Sequence, residues 1–269
     1  MNAYHIFARF YDEMMADAPY EKWQTFFMEA IRRYSLQAQK IADIGCGTGK
    51  LSLFFADQGY EVYAMDPSPL MLLQLDQKLT GKLRNQIHLC EMGAAELELP
   101  QTVDMAVSFC DSLNYIVDER ELARAFRKIH SALTDGGMVL FDLHTPYKIA
   151  ELYGDSLYFD ECEEYTYIWE THKDPEQQVI EHDLVFFVKE ANGLYQRFDE
   201  SHRQRAYDHL FIKTLLIQAG FSEIECFADF TWEQVSEQTE RYFFIARKRW
   251  EETSDRSCDG QQRKTIAEK

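Results

Sequence analysis

The sequence predicts an α/β fold: a mostly parallel sheet with helices on both faces, carrying an inserted antiparallel β region. Three observations predict it. Short apolar runs alternate with amphipathic stretches of helical period from residue 40 to residue 145, the rhythm of a parallel sheet wrapped by helices. The first apolar run enters a turn with glycine at every second position, Gly45, Gly47 and Gly49. From Leu157 to Tyr207 the helical period is lost, and β-rich runs with turn signals replace it.

Each element has a local reason. Residues 4–16 place Tyr4, Phe7, Phe10, Tyr11 and Met14 at spacings of three and four, which predicts an amphipathic helix. Asp17-Ala18-Pro19 breaks it, and a second helix runs from Tyr20 to Tyr34 with Trp23, Phe26, Phe27, Ala30 and Ile31 on its apolar face. The first strand, about 40–44, leads into the glycine turn, and the helix after it stops near Gly59. A second strand, 61–65, ends at Asp66. Pro67 and Ser68 then open a helix from Pro69 to Leu79, closed by Gly81. Residues 87–90 form a third strand, 103–109 a fourth with Cys110–Tyr115 at its tip, and 119–133 a helix. Asp135-Gly136-Gly137 reads as a turn before a fifth strand, 137–143, which ends at His144-Thr145-Pro146. The inserted strands include 165–169, 179–188 and 195–205, with Asp174-Pro175 and Ala191-Asn192-Gly193 as turns. A helix from Asp208 to Ala219 stops at Gly220. Strands at about 222–229 and 241–247, the last reversed, complete a sheet of seven. The expected domains are 1–149 with 208–249 as the main body, 150–207 as the insert, and 250–269 as a polar, aperiodic, disordered tail.

Composition narrows the function. With 46% hydrophobic residues the chain can build a full core. The formal charge of -18, from 28 basic and 46 acidic residues, repels phosphate backbones and anionic membranes, which argues against a nucleic-acid partner. No window approaches the ~20 apolar residues of a membrane span, and no apolar core of signal length opens the chain. Six scattered cysteines without a C-x-x-C pair read as reduced thiols of a cytoplasmic protein, with no metal framework.

The glycine turn points to a nucleotide-like ligand without phosphate. A dinucleotide turn has G-x-G-x-x-G spacing, with a helix N-terminus facing a pyrophosphate. Here the spacing is G-x-G-x-G, preceded by Asp43. An acidic residue at a strand end suits an ammonium, and exposed backbone amides suit a carboxylate. Asp66 lies roughly 20 residues past the turn at the tip of the second strand, where an acid can accept hydrogen bonds from both ribose hydroxyls. This combination fits S-adenosylmethionine, which carries an ammonium, a carboxylate and a sulfonium.

On these stretches, with Phe7-Ala8-Arg9-Phe10-Tyr11-Asp12, Tyr20, Trp23, Cys110–Tyr115 and Phe141–Pro146, the sequence resembles the class I S-adenosylmethionine-dependent methyltransferases, and within them the uncharacterised bacterial YqeM-like group. The resemblance covers about residues 4–145 and 208–247. It implies a seven-stranded Rossmann-like sheet and S-adenosyl-L-methionine as methyl donor, leaving S-adenosyl-L-homocysteine. It also implies residue roles. Gly45, Cys46 and Gly47 line the homocysteine part, and Asp66 binds the ribose. Pro67 and Met71 border the adenine. Cys110 and Asp111 stand between donor and acceptor. Tyr11 and Tyr20 close over the methionine end. Many relatives carry an aspartate after the third strand that binds the adenine amino group. Gly93 stands there in this chain, which leaves the adenine to the backbone around Gly93 and Ala94, or to Glu91 or Glu96.

Methyl transfer is an in-line displacement, and a base is needed only if the acceptor is protonated. Asp111, Asn114, Tyr115 and His144 stand at strand tips where such a group would act. The expected activity is transfer to N or O of a small-molecule acceptor. The alternatives are a non-catalytic S-adenosylmethionine-binding regulator and an enzyme acting on RNA or protein. Against base methylation, Cys110-Asp111-Ser112-Leu113 stands where an N-P-P-Y-like tetrapeptide would follow the fourth strand. The insert is expected to form a lid over the acceptor or a homodimer contact, with a small sheet extending the core as the plainer reading. Its aromatic and acidic composition hints at a cationic or amine-bearing acceptor.

Overall fold

A computed structural model of the chain describes residues 6–249. The expected tail and Tyr4 of the first helix lie outside them. Two helices, α1 (Phe7–Met14) and α2 (Tyr20–Arg33), precede the alternating body. The body then runs β1 (Lys40–Ile44), α3 (Lys50–Asp57), β2 (Glu61–Asp66), α4 (Pro69–Lys78), α5 (Leu83–Gln86), β3 (Ile87–Glu91), β4 (Val103–Ser108), α6 (Glu119–Ala132) and β5 (Leu133–His144). The insert contributes β6 (Ser156–Glu161), β7 (Tyr165–Asp174), β8 (Val179–Lys189) and β9 (Tyr195–Arg205). The body resumes with α7 (His209–Ala219), β10 (Phe221–Ala228) and β11 (Arg241–Lys248).

The main sheet has the order β10-β11-β5-β4-β1-β2-β3. β1 pairs in parallel with β2 and β4, and β11 is antiparallel to β5. The sequence therefore predicts the seven strands and the reversed last one correctly. Alternation of side chains splits the core in two. Ala42, Ile44 and Phe141 pack with α6 and α7 on one face, while Ile41, Val107 and Leu140 pack with α2 and α3 on the other. The order reverses between β1 and β4, where a parallel sheet opens a crevice at the carboxyl ends of its strands.

Three local expectations change. α1 begins at Phe7 among the described residues and stops at Met14. Asp135-Gly136-Gly137 is not a free turn: β5 starts at Leu133, and the glycines form an irregularity inside the β4–β5 pairing. Gly136 has φ +78°, and a Cβ on Gly137 would lie 2.9 Å from the Asp104 carbonyl oxygen, so the step needs glycine to stay in the strand. A short π-helical turn, Lys148–Leu152, links β5 to the insert, where no helix was expected.

The insert is a four-stranded antiparallel sheet in the order β6-β7-β8-β9. Its period-2 pattern buries Ile180, His182, Leu184 and Phe186 from β8 against Glu200, His202 and Gln204 from β9. The first helix joins it to the main body. Buried Glu200 accepts the backbone N–H groups of Ile6 (3.0 Å) and Phe7 (2.9 Å), two of the orphan donors at the start of α1. Phe10 stacks on Tyr165 at 4.0 Å. On the other side of the helix, Asp12 accepts from Thr48 of the glycine turn and pairs with Lys78 of α4. α1 thus bridges the insert and the turn. Glu200→Ala strands the helix-end donors and should cost about 2 kcal/mol, measured by urea unfolding. Amide hydrogen exchange at the first turn of α1 should rise in the same variant.

Candidate active site

A cavity of about 490 Å³ opens at the carboxyl ends of the strands, within the size range of small-ligand sites. Its floor is the glycine turn and the strand tips: Gly45, Gly47, Asp66, Cys110, Asp111 and His144. One wall comes from the N-terminal helices through Phe7, Tyr11, Met14 and Trp23. Pro67 and Met71 edge the β2 side, and Tyr115 the β4 side. The opposite wall is the insert, with Tyr167, Trp169, His182, Leu184, His202 and Gln204. A recess of about 40 Å³ shares Tyr11, Gly45 and Gly47 with it and adds Tyr20, Asp43 and Cys46.

The glycine turn explains its own composition. Gly45, Gly47 and Gly49 all have positive φ, +72°, +55° and +81°. A Cβ on Gly49 would stand 2.2 Å from Leu75, so that glycine serves helix packing. A Cβ on Gly47 would meet nothing within 4 Å, so the backbone there is open to a ligand. Asp66 faces the same space. One carboxylate oxygen accepts from Gly47 N–H (2.9 Å) and the other from Ser68 N–H (2.8 Å). A carboxylate has about four acceptor sites, so each oxygen keeps capacity for a ligand hydroxyl. Burial pushes the Asp66 carboxyl up, against those two backbone donors. Asp43 has a different partner: the Ser52 hydroxyl donates to it across the start of α3, and burial raises its carboxyl to about 7.

Two successive left-handed residues shape the β4 tip, Cys110 with φ +58° and Asp111 with φ +53°. Such backbone is costly for residues with a Cβ and persists where neighbours impose it. The neighbours here form a buried ion cluster. Asp142 of β5 accepts the Trp23 indole N–H (3.1 Å), the Asp111 backbone N–H (3.3 Å) and the Arg241 guanidinium. Arg241 also donates to Asp111 (3.0 Å) and, through its second Nη, to His144 Nε2 (2.8 Å). Gln204 of the insert donates to the other Asp111 oxygen (2.8 Å). Burial opposes ionisation of Asp111, but His144, Arg241 and Gln204 together hold its carboxyl well below the usual range. Burial, with Arg241 and Lys148 adding to it against Asp111, pushes His144 down to about 4, so the imidazole is neutral at pH 7.

The expected residues therefore separate. Tyr11, Gly45, Gly47, Asp66, Pro67, Met71, Cys110, Asp111, Tyr115 and His144 meet in the main cavity. Tyr20, Asp43 and Cys46 reach the recess. Gly93 and Ala94, beside the tip of β3, line neither. Arg241, Gln204, Asp142 and Lys148 were not singled out in the sequence. Asp142 had a signal, a charge inside the apolar run Met138–Leu143. So had His182, His202 and Gln204, polar residues at alternate positions on a face meant for burial. Arg241 had none.

The chain matches the family model for a methyltransferase domain over residues 41–137. It is 39% identical to a candidate methyltransferase of Geobacillus sp. (strain WCH70) over 91% of this chain and 99% of that one. It is 36% identical to a second candidate methyltransferase, YqeM of Bacillus subtilis (strain 168), over 91% of this chain and 97% of that one. A solved S-adenosylmethionine-dependent methyltransferase from Clostridium acetobutylicum ATCC 824 superposes with a TM-score of 0.78 at 28% identity, covering 92% of this chain and all of that one. The chain belongs to the class I S-adenosylmethionine-dependent methyltransferases. The methyltransferase is related to the YqeM-like bacterial proteins over nearly its whole length, insert included. The donor that goes with the family fits what the floor of the cavity provides: open backbone at Gly47 and spare carboxylate capacity at Asp66.

Two outcomes test the ion cluster. Arg241→Met leaves buried Asp142 and half-buried Asp111 without their cation and should cost about 3–5 kcal/mol in urea unfolding. His144 sets an acid limit. Between pH 6.5 and about 4 the unfolded chain takes up a proton that the folded chain refuses. Stability is complete above 6.5 and falls as the pH drops through that window. His144→Gln should lose less stability than the wild type between those limits, measured by unfolding at stepped pH.

Proposed function

We propose that this methyltransferase transfers a methyl group from S-adenosylmethionine to N or O of a small-molecule acceptor held between the strand tips and the inserted sheet. One observation carries the reading: a single cavity has the glycine turn and Asp66 at one side and the insert as its opposite wall. A donor and a small acceptor can share such a space, and the insert over it supports a lid role. A macromolecular acceptor would need the insert to stand aside.

Bound S-adenosylmethionine supplies an electrophilic methyl group on a sulfonium. The chain's own residues do the rest by position. Asp66 accepts from ribose hydroxyls, and Gly47 lets the backbone approach the donor. Tyr11, half-buried and hydrogen-bonded to Tyr20, keeps its phenol neutral well above ordinary pH, because desolvation disfavours the charged form. Its aromatic face and oxygen suit a nearby sulfonium charge. The aromatic walls exclude water, so that nucleophile and methyl can be held in line. His144 is a positioning residue in this scheme rather than a base, because its Nε2 lone pair already faces Arg241 and Lys148. Asp111 acts likewise through Arg241 and Gln204. An acceptor that is neutral and nucleophilic at working pH needs no base from the chain.

Asp66→Ala should weaken S-adenosylmethionine binding at least about tenfold, or 1.4 kcal/mol, by calorimetry. Unchanged affinity rejects the ribose role. Formation of S-adenosylhomocysteine across a panel of amines, phenols and carboxylates tests the acceptor class.

A further inference from the structure

The acidic residues of the insert do not line the cavity. Asp160, Glu161, Glu163, Glu164 and Glu170 are exposed, and the insert's wall consists of aromatic, apolar, imidazole and amide groups. Of the carboxylates at the cavity, Asp66 belongs to the donor side, and Asp111 is already shared by Arg241 and Gln204. Among the described residues that line the cavity, no spare carboxylate is left at the acceptor end for a cationic group.

Trp169, His182 and Gln204 on the insert's wall are also committed. The Trp169 indole N–H donates to His182 Nδ1 at 3.2 Å, which leaves the ring proton on Nε2. His182 is hydrogen-bonded to Gln204, and the Gln204 amide donates to Asp111. The chain Trp169–His182–Gln204–Asp111 runs in one direction and ends on a carboxylate.

Lys148 differs. It stands on the turn after β5 and lines the same cavity, with its ammonium 5.3 Å from the centre of the Tyr153 ring. An ammonium has three donors. Among the described residues Nζ has one hydrogen-bond partner, His144 Nε2 at 3.1 Å, and no carboxylate within ion-pair distance. That nitrogen also faces Arg241 Nη2 at 2.8 Å, and a single lone pair cannot serve both donors well. Asp111, Asp142 and Glu240 act on Lys148 only at longer range, while Arg241 opposes its charge. A partly buried cation with unused donors at a cavity wall favours an anionic oxygen through charge-assisted hydrogen bonds. The Tyr153 ring beside it, with Trp169 on the insert's wall of the same cavity, suits a flat apolar body.

We propose that Lys148 anchors a carboxylate on the methyl acceptor, and that the acceptor is a small, flat carboxylate-bearing molecule seated between Tyr153 and Trp169. This rests on the reading of the cavity as a shared donor and acceptor site. The aromatic and acidic composition of the insert points to a cationic acceptor, but none of its acids is among the described residues that line the cavity, so the sign of the site is set by Lys148.

The test uses the full chain saturated with S-adenosylhomocysteine and three probes with a common ring: benzoate, benzyl alcohol and benzylamine. Ligand-observed NMR titration gives their affinities. Benzoate should bind at least about tenfold tighter than benzylamine, with benzyl alcohol between them. Lys148→Met should lose that preference, Lys148→Arg should keep most of it, and both should hold S-adenosylhomocysteine within about twofold of the wild type. A tenfold preference corresponds to about 1.4 kcal/mol. Equal or tighter binding of benzylamine overturns the proposal. So does benzoate affinity unchanged in Lys148→Met, or no benzoate binding at millimolar concentration. Failure of S-adenosylhomocysteine to bind the wild type would instead reject the donor reading. Donor binding without benzoate preference rejects the carboxylate anchor alone.

Discussion

Arg241 sits between buried Asp142 and half-buried Asp111, and the cavity wall at the β4 and β5 tips depends on that arrangement. Asp142 lies inside β5 with no exposure, and Asp111 lies on the left-handed tip of β4. Two such acids next to each other would repel and take up a proton. The guanidinium between them, brought by a strand that runs antiparallel to β5, lets Asp111 stay ionised. The fork of donors suits the task because it can reach both acids and His144 at once. A buried ion cluster of this kind is weak evidence for net stability, since desolvation offsets much of the attraction. Its value is geometric: it fixes where the β4 tip, the β5 tip, α2 through Trp23 and the insert through Gln204 stand relative to each other.

The two halves of the cavity are built on different physics. The half at the glycine turn uses backbone: positive-φ glycines and amides that hold Asp66. The other half uses side chains delivered from distant segments. α1 belongs to both halves. Its start is held by Glu200 of the insert, and its far side is tied through Asp12 to Thr48 in the glycine turn. Tyr11 lies between those anchors, at the junction of the cavity and the recess. The glycine turn and the insert are thereby tied to the same helix.

Most of the fold was legible because its signals are local. Apolar alternation, helix stops at Gly59 and Gly220, and the turn Ala191-Asn192-Gly193 each act within a few residues. The misread stretch, Asp135–Gly137, shows the limit of such signals. Two glycines after an aspartate look like a turn, but pairing with β4 keeps them in the strand, because a close approach to the Asp104 carbonyl also requires glycine. The donor side was legible for the same reason as the fold: Gly45, Gly47 and Asp66 are set by strand ends and by one turn.

By itself, the sequence determined a parallel α/β sheet, an antiparallel insert, and a glycine turn suited to a ligand without phosphate. These follow from periodicity and backbone constraint, which neighbouring residues express. The tertiary structure alone decided the cavity wall at the β4 and β5 tips. Arg241 reaches Asp111 across 130 positions of sequence, and Gln204 reaches it across 93. No local pattern encodes such meetings, because they depend on how strand order and the insert fold chain segments back on one another. The same folding left Asp160, Glu161, Glu163, Glu164 and Glu170 of the insert exposed and placed Lys148 at the cavity wall, so the charge at that wall is not the charge that the composition suggests.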